Sequence, residues 1–135
     1  MKRALLLLVA AGCASVPAGM PGGPQSTIPV DVRVTAARAT AATVRVLTDQ
    51  GYVVAASEGG VIRTTPRPHN RATTFVITAN VVPLDSAARV VLSGAYTIPT
   101  LRIRDEPMTP GPRLKGELWP RLQLVADSIA AVTGR

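Results

Sequence analysis

One thiol, one imidazole and one pair of adjacent carboxylates are the residues of this chain on which reaction chemistry could rest. Cys13 is the sole cysteine, so no internal disulfide can form. His69 is the sole histidine and lies in "PRPHNR", where two prolines mark a loop. A nucleophile–base pair needs a second group that this position does not offer, and a zinc site needs several ligands. His69 therefore reads as a solvent-exposed loop residue. Asp105 and Glu106 are neighbours in the chain, and adjacent side chains generally point apart. With Pro107 and the flanking arginines they read as a surface loop with local salt bridges. Gly59-Gly60 stands outside any GxxxxGK[ST] phosphate loop, and "SGAY" is not a G-x-S-x-G elbow. The expectation is a non-enzyme with no catalytic residue, no metal and no cofactor.

Cys13 takes its meaning from what precedes it. Lys2 and Arg3 form a short positive region, Ala4 to Ala11 is an uncharged apolar run, and Gly12 is small. This is the layout of a secretory signal peptide. The run is too short to span a bilayer core, which needs about 20 apolar residues. "VAAGC" resembles the lipobox of bacterial lipoproteins, with Ala10 where Leu is usual. The resemblance implies that Cys13 carries a diacylglycerol and that residues 1–12 are removed. The alternative is an ordinary signal peptide cut between Ala11 and Ser15. A lipid thioether removes the reactive thiol that an exported lone cysteine would otherwise present. Two acyl chains also supply the stable anchoring that a single chain does not.

Ala14 to Pro29, rich in Pro, Gly and Ser and without charge, reads as a flexible tether. Residues 13–29 are thus the anchor and tether, and 30–135 a single domain. In lipoproteins an Asp after the cysteine often signals inner-membrane retention. Ala14 occupies that place here, so the resemblance implies the outer membrane, periplasmic face.

The chain has 15 basic and 8 acidic residues, a net charge of +7. Without Lys2 and Arg3 the balance is 13 to 8, or +5. Nucleic acid is not an expected partner, because no basic cluster is interleaved with aromatics. A positive surface is compatible with anionic lipid headgroups.

Apolar spacing of three and four links Val30, Val34, Ala37, Ala41, Val44 and Leu47, with Gly51 as the C-cap. This predicts a helix from about Asp31 or Thr35 to Gln50. Tyr52–Ser57 and Val61–Thr65 flank Gly59-Gly60, a two-residue hairpin signal. "ATTFVITANVV" alternates, with Phe75, Ile77, Ala79 and Val81 on one face and Thr74, Thr78 and Asn80 on the other. "RVVLSGAYTI" aligns Val90, Leu92, Tyr96 and Ile98. Period two with one polar face marks a sheet covered on one side. Pro99 to Pro112 reads as irregular. Leu118, Leu122, Val125, Ile129 and Val132 give a second helix starting near Gly116 or Glu117, since Pro120 suits only a first turn. The predicted fold is α+β: helix, four-stranded antiparallel sheet, helix, a two-layer sandwich with both helices on one face.

"VRVLTDQGYVVAASEGGVIRT" is similar to the repeat of the C subunit of the outer-membrane β-barrel assembly machinery, and "ELWPRLQLVADSIAA" loosely matches its closing helix. The resemblance implies a helix-grip arrangement and an envelope location. Two functions fit. The favoured one is a non-catalytic envelope lipoprotein, membrane-bound through Cys13, whose domain binds another envelope protein. The alternative is a carrier or sensor of an apolar ligand held between sheet and helix. The candidate binding surface comprises Thr74 and Thr78 on the open sheet face and Trp119, which could either anchor a partner or cap the core.

Overall fold

A computed structural model describes residues 25–111 and 114–134, with 114–116 as backbone only. The signal segment, Cys13 and the tether to residue 24 lie outside the described residues. The chain is α+β, with two helices and a seven-stranded antiparallel sheet. Its elements are β1 (Thr27–Val32), α1 (Ala36–Asp49), β2 (Val54–Glu58), β3 (Val61–Thr64), β4 (Arg67–Pro68), β5 (Thr74–Leu84), β6 (Ala87–Ile98), β7 (Ile103–Pro107) and α2 (Leu114–Thr133).

The sheet runs β1-β6-β5-β3-β2, with β4 also on β5 and β7 also on β6. The expected four strands are therefore corrected to seven, and the three extra ones have separate causes. β1 occupies Thr27–Val32, where the tether and then a helix were expected. Ile28, Val30 and Val32 are buried and alternate with exposed residues, which is strand period. Val30 and Val34 are also four apart, and that spacing imitated a helical stripe. Pro29 is tolerated because β1 is an edge strand. β4 is two residues long and contains Pro68, and β7 ends at Pro107, so composition concealed both. A bidentate pair from Arg89 to Asp31, at 2.6 and 3.1 Å, fastens β1 to β6 where those residues face each other. The hydrogen bond from Arg89 holds the Asp31 carboxyl below its ordinary pKa. Its contribution is therefore present at neutral pH and is lost as pH falls through that lowered value.

α1 begins after Thr35, whose hydroxyl accepts from the Arg38 amide at 3.4 Å. It ends in a Schellman motif. Gly51 adopts φ +82°, its amide reaches the Thr48 carbonyl, and the Tyr52 amide reaches that of Leu47. The predicted stripe holds at Leu47, with Val34 and Val44 partly buried against the core, and fails at Ala37 and Ala41. The buried face is Ala39, Thr43, Val46 and Leu47, while Ala37 and Ala41 are exposed. Thr43 concealed this face, because its hydroxyl satisfies itself on the Ala39 carbonyl at 2.8 Å and so can be buried. In α2, Leu118, Leu122, Val125 and Ile129 are buried as predicted, but Val132 is 52% exposed and Thr133 takes the inner position. The helix starts at Leu114, so Pro120 lies within it, on an exposed face.

Both helices pack on the same side of the sheet and against each other. Phe75, Ile77 and Ala79 of β5 and Val90, Leu92 and Tyr96 of β6 face them in one core. The Gln50 side chain locks the helices together through the Ser128 hydroxyl at 2.9 Å. Gly94 interrupts the core-facing side chains of β6, and the fully buried Met108 fills the space. The Met108 amide donates to the Gly94 carbonyl at 2.8 Å.

Phe75→Ala and Leu122→Ala should each cost roughly 2–5 kcal/mol in denaturant unfolding, the range for large-to-small core changes. Gly94→Ala should cost about 1–3 kcal/mol, because its new methyl overlaps the Met108 sulfur. Adding Met108→Ala to Gly94→Ala should cost less than the sum of the two single changes. Simple additivity would show that the two sites do not compete for one space.

Candidate functional site

The face of the sheet turned away from the helices is built by the register of four strands. Arg63 of β3 pairs with Thr78 of β5, Thr78 with Ser93 of β6, and Ser93 with Thr27 of β1. These four side chains form a row across the sheet, a guanidinium followed by three hydroxyls. Beside it runs a second row, Val76, Ala95 and Pro107, paired in the same way. Together with Ser26, Gly94 and Asp105 the two rows line an open trough of about 490 Å³. That volume lies within the range of ligand-binding clefts, roughly 300–1,000 Å³. Thr78, Val76, Ser93 and Ala95 are half-buried although neither described helix covers them.

Asp105 is set by a β-bulge. Between the pairs Tyr96–Glu106 and Ile98–Ile103, β7 places two residues opposite the single Thr97. Asp105 takes φ +48°, left-handed for a residue with a Cβ, and its amide donates to the Thr97 hydroxyl at 3.2 Å. Asp is among the few residue types that enter this region readily. The expected surface loop at Asp105-Glu106 is thus a strand, and the carboxylate at its bulge borders the trough.

Thr74 and Thr78 share the open face, as the alternation implied, but only Thr78 lines the trough. Trp119 does not join them. It lies on α2, half-buried against the core on the other side of the sheet, in the core-capping role that was one of its two readings. Sequence reasoning missed Arg63 and Ser93, and it placed Asp105 in a surface loop rather than at the bulge of a strand. For Arg63 the signal was present: in "VIRT", Ile62 and Thr64 are buried while Val61 and Arg63 are exposed.

His69 also departs from expectation. Its side chain is only 15% exposed. The ring meets Phe75 edge-on with centroids 6.5 Å apart, and Nε2 lies 3.3 Å from the Glu117 carboxylate. Nδ1 is buried without a partner among the described residues. The "PRPHNR" loop is closed by Asn70, whose side chain accepts from the Ala72 and Thr73 amides at 2.9 Å each. Around His69 stands an aromatic and cationic cluster. Arg67 lies over Tyr52, Arg121 over Phe75, and Tyr52 contacts Phe75 edge to face. This cluster ties the loop to α2 and sits on the helix side, apart from the trough. Among the described residues no group of three or more His, Cys, Asp or Glu is placed to hold a metal ion, and no helix is long and apolar enough to cross a membrane.

No family model matches the chain, and no curated protein matches it. Among solved structures the chain is similar to the crystal structure of TTHA0849 from Thermus thermophilus. The identity is 13%, the match covers 82% of this chain and 99% of that one, and the TM-score is 0.37. A likeness at that level carries no argument about function.

His69→Ala should cost about 1–2 kcal/mol, beyond the ±0.5 kcal/mol of ordinary surface changes, because it removes the ring from Phe75 and the contact to Glu117. Thr78→Ala should stay within ±0.5 kcal/mol, since no described element covers its face. Chemical denaturation of the two variants side by side separates a packed residue from a free surface.

Proposed function

We propose that this protein is a non-catalytic envelope lipoprotein, anchored through Cys13, whose domain binds another envelope protein with its open sheet face. The observation that carries this reading is the sheet face that neither described helix covers. Side chains from four neighbouring strands, in register, form a concave polar surface that no part of the described chain occupies. Residues 1–13 support the envelope location by their resemblance to a lipoprotein signal. Ala14 supports the outer membrane by the same resemblance. The two helices lying together under a long hairpin support a helix-grip kind of sandwich, as in the C subunit of the β-barrel assembly machinery.

The carrier reading has less support. Between helices and sheet, Phe75, Leu92, Leu118, Leu122 and Ile129 are at most 1% exposed and fill the space that an apolar ligand would need. The trough is on the other side and is lined by hydroxyls and charges as much as by carbon.

Cys13→Ala should move the protein from the membrane to the soluble fraction, or leave the signal uncut. A variant processed and membrane-bound as before would refute the anchor. A photo-crosslinking residue in place of Thr78 should capture an envelope protein in intact cells, while one in place of the exposed Leu101 should not. Equal labelling from both positions would remove the open face as the binding surface.

A further inference from the structure

The trough carries a charge of opposite sign at each end. Arg63 stands on its β3 side and Asp105 on its β7 side. Neither side chain has an ion-pair partner among the described residues, whereas Arg89, Arg45 and His69 lie beside Asp31, Asp49 and Glu117. Asp105 is held in place by the bulge, its left-handed backbone and the Thr97 hydroxyl. A rare conformation at the rim of a cleft is an observation from which function is reasonably inferred. Between the two charges the floor changes character, from the Thr78 and Ser93 hydroxyls to the apolar Val76, Ala95 and Pro107.

The spacing bounds what can lie there. From β3 to β7 is three strand intervals, roughly 14 Å. Along the strands, Asp105 sits beside Thr97, four residues from Ser93, a further distance of about 13 Å. The backbones of the two charges are thus roughly 19 Å apart on the diagonal, less the reach of their side chains. An extended peptide rises about 3.4 Å per residue and shows alternate side chains to one face. An acidic and a basic side chain four residues apart therefore share a face at about 13 Å, and their stems and the Arg63 stem supply the rest.

We infer that the trough binds an extended segment of a partner protein bearing an acidic side chain on Arg63 and a basic side chain, four residues away, on Asp105. The inference rests on the partner-binding reading above and specifies the partner's chemistry. Two other occupants fit less well. The chain's own residues from Cys13 to Gln25 carry no charge to offer either rim. A second copy docked face to face would set trough against trough and leave both unfilled. The hydroxyl row is free to serve the bound backbone, because the floor's own amides and carbonyls are engaged in the sheet ladder.

The test uses the isotope-labelled full-length chain in detergent micelles and three capped pentapeptides, Glu-Ala-Thr-Ala-Lys, Glu-Ala-Thr-Ala-Glu and Lys-Ala-Thr-Ala-Lys. The mixed peptide should shift the amide signals of Thr78, Ser93 and Ala95 and bind about fivefold more tightly than either single-sign peptide. That preference should shrink as salt is raised. Arg63→Asp leaves acids at both ends, so its preference should pass to the Lys/Lys peptide. This gain cannot come from misfolding. Equal affinities for the three peptides, shifts confined to residues outside the trough, or an R63D variant without the reversed preference would each overturn the inference. Capture of a protein from position 78 together with equal peptide affinities keeps the partner-binding reading and rejects the dipolar segment alone.

Discussion

Eleven consecutive antiparallel pairs, from Thr74 opposite Thr97 to Leu84 opposite Ala87, tie β5 to β6, and everything else hangs on this ladder. Strand period gives each residue one face, so the ladder decides at once what is core and what is surface. Phe75, Ile77, Ala79, Leu92 and Tyr96 go to the helices, and Val76, Thr78, Ser93 and Ala95 go to the trough. A slip of one residue would exchange the two sets and bury the hydroxyls. The outer strands then attach in pieces: β3 and β4 along β5, β1 and β7 along β6.

The two breaks between those pieces are filled. On the β5 edge the Ile77 amide, lying between the β3 and β4 pairings, donates to the hydroxyl of the buried Thr64 at 3.0 Å. On the β6 edge Gly94 falls between the β1 and β7 pairings, and Met108 supplies both an amide for its carbonyl and a side chain for the core. A buried amide left without an acceptor would cost about 1–3 kcal/mol, so a polar Thr at this core position follows from the break beside it. Met suits the other gap because its unbranched chain fits irregular space.

The legible part of this fold was the part with one strong period. β5, β6, the Gly59-Gly60 hairpin, the Gly51 cap and four of the five positions on the α2 stripe were all readable, because apolar alternation or spacing and turn chemistry agreed there. Legibility failed where a residue type contradicted its place. Thr43 and Thr133 are buried polar residues that satisfy themselves on their own helix, so both displaced a predicted stripe. Pro29, Pro68 and Pro107 masked strands that lie at edges or ends. His69 lay in a stretch whose composition indicates exposure, and its burial depends on Phe75 and α2, contacts that no local pattern encodes. The open face was half visible. Thr78 followed from alternation, but the row Arg63–Thr78–Ser93–Thr27 is a product of register between four strands distant in sequence.

On the proposed reading, the same ladder that makes the trough also sets which segments it would accept. Its floor lies within the sheet, the backbone that carries its one bulged carboxylate is fixed by an amide hydrogen bond to the Thr97 hydroxyl, and its guanidinium alone has a long stem. On that reading little of the protein would have to be ordered as a segment docks, and the entropic cost would fall mainly on the ligand. The gain is modest as well. Exposed charge pairs contribute about 0.2–1 kcal/mol each. The floor carbon is limited to small side chains such as Ala95 and Val76. A rigid cleft of this kind discriminates by sign and spacing of charge more than it binds tightly. Attachment of the domain at the membrane would compensate for weak docking, since a tethered partner meets the trough at an effective concentration that free solution does not reach. On the proposed reading, the anchor at Cys13 and the trough at Thr78 are then two halves of one binding device, joined by the segment that leads into β1 at Thr27.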